Sequence, residues 1–88
     1  MGRPVGKRQA TTREAAIGAV ITELRIKKGL SCQDVAEKVG THDGNLSEIE
    51  NGKGNPTYKV LQAIADFHHI RLSRLLAMAE AKYSRRRR

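Results

Sequence analysis

The stretch from Ser31 to Gly52, SCQDVAEKVGTHDGNLSEIENG, constrains this chain more than any other. It holds two short helix patterns separated by a glycine break, and each pattern carries its own start or stop signals. Ser31 is placed to cap the first helix with its hydroxyl, Asp34 sets negative charge near the positive end of the helix dipole, and Gly40 supplies a left-handed residue to end it. The second helix begins near Thr41 or His42 and stops at Gly52, where a missing Cβ suits the residue just past a helix end. Val35, Ala36 and Val39 share one face of the first helix, and Leu46 and Ile49 share one face of the second. Both faces can therefore rest on a common core, with small Ala36 where the helices cross.

The flanking sequence supplies more helices and no alternating strand pattern. Thr11 and Glu14 have capping-box spacing, after which Ile17, Val20, Ile21 and Leu24 recur at helical period until Gly29. Gly18 interrupts this pattern at about 1 kcal/mol relative to alanine, so either a close helix crossing uses it or the helix is a weak one. Pro56-Thr57 opens a further helix carrying Val60, Leu61, Ile64 and Phe67, and a last helix carries Leu72, Leu75, Leu76, Met78 and Ala79. The fold class expected is all-α. Residues 1–10 read as a flexible basic arm, 11–81 as one small domain and 82–88 as a basic tail.

Eighty-eight residues, 39% of them hydrophobic, allow one modest core. The sequence contains no paired-carboxylate cleft signal, no nucleophile with a plausible base and no phosphate-binding glycine loop, so an enzyme is not expected. Cys32 is the single cysteine, which excludes an internal disulfide and fits a reducing compartment. Neither it nor the neighbours His68 and His69, which point about 100° apart on a helix, has a partner at metal-ligand spacing, and no cofactor is expected. No apolar run approaches the roughly 20 residues needed to span a bilayer. The expectation is a cytoplasmic protein with no membrane association.

The net charge of +8 is unevenly distributed. Residues 1–13 hold Arg3, Lys7, Arg8 and Arg13 with no acid, and residues 82–88 hold Lys82 and four arginines. Residues 14–81 hold 8 basic and 9 acidic side chains, so the body itself is not basic. Two helices joined by a tight turn form a helix-turn-helix, a device for setting one helix into the major groove of DNA. In this chain the sequence-independent attraction to phosphate would then come from the ends, unless the tails merely solubilise. Gly2-Arg3-Pro4 also looks like the minor-groove tripeptide of AT-hook motifs, though general contact by the arm is the broader expectation.

The strings LRIKKGLSCQDVAEKVG, LSEIENGKGNPT and LQAIADFHHIRLSRLL resemble the lambda-repressor-like helix-turn-helix family, which includes phage repressors, Cro and the XRE-type regulators. The match runs from about Glu14 to Leu76, and Ile-Glu-Asn-Gly-Lys followed by Asn-Pro-Thr is its most specific part. The resemblance implies five helices, with the third, about His42 to Asn51, as the recognition helix. It assigns base contact to His42, Asp43, Gly44, Ser47 and Glu48, and helical geometry independently sets Gly44, Ser47, Glu48 and Asn51 opposite Leu46 and Ile49, with Asp43 on the flank. Two carboxylates and a glycine depart from the family's usual Gln, Arg, Ser or Lys; carboxylates can accept from cytosine N4.

Lys53 and Asn55 correspond to the family's phosphate-contacting loop, which with Gln33, Asn51, Arg3, Lys7 and Arg8 completes the candidate backbone contacts. Cys32 stands where many relatives carry a phosphate-binding Gln, and Gln33 is one residue displaced. The resemblance also implies a structural ion pair between Arg25 and Glu50. A twofold dimer would read two half-sites about 34 Å apart, and Leu72, Leu75, Leu76 and Ala79 are its candidate interface unless they fill the monomer core. The reading that follows is a sequence-specific transcriptional regulator, of the phage or prophage repressor type, binding double-stranded DNA as a homodimer. Two alternatives are an antitoxin-like or accessory module whose acidic third helix meets a basic protein, and a non-specific nucleoid binder driven by the tails.

Overall fold

The computed structural model describes residues 12–87. They form five helices, α1 (Arg13–Lys27), α2 (Cys32–Val39), α3 (Asp43–Glu50), α4 (Tyr58–Phe67) and α5 (Leu72–Arg87), with no strand among the described residues. The helix starts are held by short polar side chains. Thr12 caps α1, its hydroxyl oxygen accepting from the Ala15 N–H at 2.9 Å. The cap expected at Thr11 is thus one residue later, because Thr12 is the residue whose oxygen reaches the third amide of the helix; Thr11 itself lies outside the described residues. Ser31 and Asp34 form a reciprocal capping box on α2, with the Asp34 N–H donating to Ser31 Oγ at 3.0 Å and the Ser31 N–H to Asp34 Oδ2 at 3.3 Å. Thr57 caps α4 through the Val60 N–H at 3.2 Å.

Gly40 ends α2 at φ 83°, and its N–H and that of Thr41 both donate to the Ala36 carbonyl at 2.9 Å. The chain turns here, and α3 begins at Asp43.

One apolar core joins all five helices. Val20 and Ile21 from α1, Val35 and Ala36 from α2, Leu46 and Ile49 from α3, Ile64 and Ala65 from α4, and Leu75 and Ala79 from α5 are all buried. Gly18 resolves the choice left by the sequence: a Cβ at this position would collide with the carbonyl oxygens of Ile49 and Glu50, so α1 and the end of α3 cross backbone against backbone. Only glycine permits that approach.

One expectation for the last helix is revised. Leu75 and Ala79, candidates for a dimer interface, are 0% and 4% exposed and fill the monomer core, because α5 packs on α1 and turns that stripe inward. Leu72 and Leu76 remain half-buried beside it. The helix also continues to Arg87, through most of the segment read as a basic tail. Its end is fastened to α1 by Lys82 Nζ to Glu23 Oε2 at 2.6 Å, by Arg13 Nη1 to Glu80 Oε2 at 3.5 Å and by the Arg13 guanidinium 4.6 Å over the Tyr83 ring. His68, at the C-terminal end of α4, is buried edge-on to Phe67 at 5.0 Å, whereas His69 is exposed in a left-handed conformation at φ 60°. No helix among the described residues is long and apolar enough to cross a membrane.

Candidate functional site

The surface of interest is the outward face of α3 with the turn before it and the loop after it. Leu46 and Ile49 anchor the helix inward at 0% and 2% exposure. That anchoring turns Asp43, Gly44, Asn45, Ser47 and Glu48 to solvent. His42 occupies the cap position with extended backbone but makes no capping hydrogen bond, so its exposed ring is not spent on the helix start. Gly44 has open space around it, and the helix backbone is bare there.

Both ends of α3 are held to other elements. At its start, the Cys32 thiol on α2 donates to the Asp43 carbonyl at 3.6 Å, which joins the first turns of α2 and α3. Burial, with repulsion from Glu50 second, pushes the Cys32 thiol above its usual pKa, so it serves as a neutral donor and not as a thiolate nucleophile. At its end, Glu50 receives a two-pronged bond from Arg25 of α1, Nε to Oε2 at 2.8 Å and Nη2 to Oε1 at 3.0 Å. Arg25 also donates from Nη1 to the Leu30 carbonyl at 2.9 Å, tying the α1–α2 connection into the same knot. The hydrogen bond to Glu50 is the main cause that raises the Arg25 pKa further. Glu50 is thereby neutralised, and Asp43 and Glu48 are the acids α3 presents outward.

The loop after α3 is compact. Gly52 adopts φ 75° and lies so close to α1 that a Cβ would come within 2.9 Å of Ala15 Cα. The amides of Lys53 and Gly54 both donate to the Glu48 carbonyl, at 2.9 and 3.2 Å, so these two backbone donors are occupied. The side chains of Lys53 and Asn55 are exposed beside α3, and Gln33 is exposed in the first turn of α2. Asn51 is exposed, and its Nδ2 donates to the Ser47 carbonyl at 2.9 Å, which closes the helix end. Arg3, Lys7 and Arg8 lie outside the described residues.

One polar residue of this face escaped the sequence reading. Asn45 is exposed, and its Nδ2 donates to the Thr41 hydroxyl at 2.8 Å. The separation of four residues was the available signal, since side chains four apart meet on one helical flank. Predicting the contact also required knowing that Thr41 sits in the turn within reach of the helix.

The comparisons with known proteins point one way. A helix-turn-helix family model matches residues 21–75. The chain is 31% identical over 74 residues to the ImmF control region 10 kDa protein of Bacillus phage phi105, covering 78% of this chain and 82% of that protein. Among solved structures it is similar to the clp gene regulator ClgR of Corynebacterium glutamicum, with TM-score 0.81 and 22% identity over 88% of this chain and 82% of the other. It is also similar to the restriction-modification controller protein C.AhdI of Aeromonas hydrophila, with TM-score 0.68 and 26% identity over 70% of this chain and 94% of the other.

Proposed function

From the premise that the chain belongs to the lambda-repressor-like helix-turn-helix family of transcription regulators, we propose that it is a sequence-specific repressor of the phage control type, with α3 in the major groove of operator DNA. The observation that carries this reading is the outward face of α3, where small or polar residues from His42 to Glu48 stand clear of the core while both helix ends are clamped. A reading surface needs such rigidity, because a base edge is recognised only by groups held in register with it.

Phosphate attraction then falls to Lys53, Gln33 and Asn55 beside the helix and to the arginines and lysines at the two ends of the chain. The dimer that operator symmetry calls for would use the α4–α5 face, where Leu72 and Leu76 line an open groove with Tyr58, itself 71% exposed. A second reading, an accessory module docking on a basic protein, draws support from exposed Asp43 and Glu48.

Selection from a random duplex pool, followed by salt titration on the selected site, tests the proposal. The expected product is an inverted repeat with half-sites spaced by about one helical turn. Deleting residues 1–10 should lower both affinity and the dependence on salt. A pool with no enriched motif overturns the proposal and leaves the protein-docking module and the non-specific nucleoid binder, which DNA retention at low salt tells apart.

A further inference from the structure

We infer that Asn45 is a specificity-determining residue of this surface and that the base it selects is adenine; the inference rests on the DNA-binding reading above. Three observations lead there. First, Asn45 is exposed on α3 although its amide is not free to rotate, because Nδ2 is held by the Thr41 hydroxyl at 2.8 Å. Second, Thr41 is itself fixed: its N–H bonds the Ala36 carbonyl at 2.9 Å within the turn that closes α2. The Asn45 amide is therefore tied to the hydroxyl of a threonine whose backbone is fixed in the turn. Third, the bare backbone at Gly44, where an added Cβ would meet nothing within 4 Å, leaves the neighbouring surface uncrowded.

A primary amide has two N–H donors and one acceptor oxygen. With one donor spent on Thr41, Asn45 retains one N–H and its oxygen, and makes no other hydrogen bond among the described residues. A donor and an acceptor side by side match the N7 acceptor and N6 amino donor of adenine in the major groove. A phosphate would use only the N–H and would set the amide oxygen against negative charge. Ionised Asp43 and Glu48 are acceptors only and do not offer this pair. Asn51 likewise spends one N–H, on the Ser47 carbonyl, but it lies at the C-terminal cap of α3, whereas Asn45 lies in the first turn, the part of a recognition helix that meets base edges.

The test compares motifs selected from random duplexes by the full chain, by Asn45→Ala and by Thr41→Val, with circular dichroism of each. The natural chain should enrich an adenine at one position of each half-site. In Asn45→Ala, discrimination at that position should fall about tenfold, the size expected for one bidentate base contact, while the rest of the motif stands. Thr41→Val leaves Asn45 in place and should blunt the same preference alone, which keeps the inference testable if Asn45→Ala does not fold. Retention of the adenine in Asn45→Ala overturns the inference, as does a uniform loss across all sequences, the mark of a phosphate contact. Failure of the natural chain to enrich any motif overturns the DNA-binding reading itself.

Discussion

Helix α1 is fastened along two seams of opposite character. Toward α3 the seam is buried: Gly18 lets the backbones touch, and Arg25 grips Glu50 with side-chain exposures of 18% and 8%. Toward α5 an apolar stripe is bordered by exposed pairs, Arg13 with Glu80 and Glu23 with Lys82, in which at least one partner is more than half exposed. Charge pairs look alike in a list of distances, yet their energetic weight differs because water screens one set and not the other. The seam that positions α3 is the one with less access to water.

Breaking the buried seam should have the largest effect. Glu50→Ala leaves Arg25 in a largely buried site without its partner and is expected to lower stability by about 3–5 kcal/mol, measured by urea denaturation. A loss below about 1 kcal/mol would place this pair with the surface pairs and remove the contrast. Gly18→Ala comes next. Alanine would favour an isolated helix by about 1 kcal/mol, but here its Cβ meets two backbone carbonyls, and overpacking of this kind costs about 1–3 kcal/mol. A more stable Gly18→Ala protein would mean that α1 and α3 do not cross as closely as described.

His68 sharpens the comparison at a third place, a buried group with no partner. Its Nε2 has no hydrogen-bond partner, burial is the main cause that lowers its pKa, and the charges facing it, Lys28 and His69, are of the same sign as its own protonated form. A folded-state pKa below the unfolded value means that the unfolded chain binds the extra proton more readily. The contribution is therefore complete above the unfolded value near 6.5 and is lost as pH falls through the folded value, with a slope of at most about 1.4 kcal/mol per pH unit. Thermal melts between pH 7.5 and about pH 5 should show this decline. They should lose it in His68→Leu and keep it in His69→Asn, where an exposed residue is replaced by one that accepts the left-handed backbone. Equal slopes in all three proteins would place the titrating group elsewhere.

The smallest effect belongs to the exposed seam. Lys82→Ala should change stability by about 0–1 kcal/mol and less at high salt, despite the short 2.6 Å contact to Glu23. A larger loss would show that the end of α5 is held by its charges and not by the stripe of Leu75 and Ala79 beneath.

Much of the architecture was legible because its signals are local. Ser31, Gly40, Gly52 and Thr57 mark helix ends by chemistry that acts within four residues, and Leu46 and Ile49 fix which way α3 faces by periodicity alone. Where the reading slipped, the deciding contact was distant. Leu75 and Ala79 look like spare apolar surface until α1 is laid against them.

Asn45 marks the same boundary within the candidate site. Residue spacing reports that a side chain lies on the flank of a helix; it does not report that a threonine in the preceding turn holds it there. Composition and pattern were sufficient for five helices, a short turn between the second and third, and a neutral body with basic ends, because each depends on residue type and period. The close crossing at Gly18, the inward stripe of α5 and the orientation of the groups on α3 were decided by tertiary packing, since each depends on atoms brought together from separate helices or across a turn.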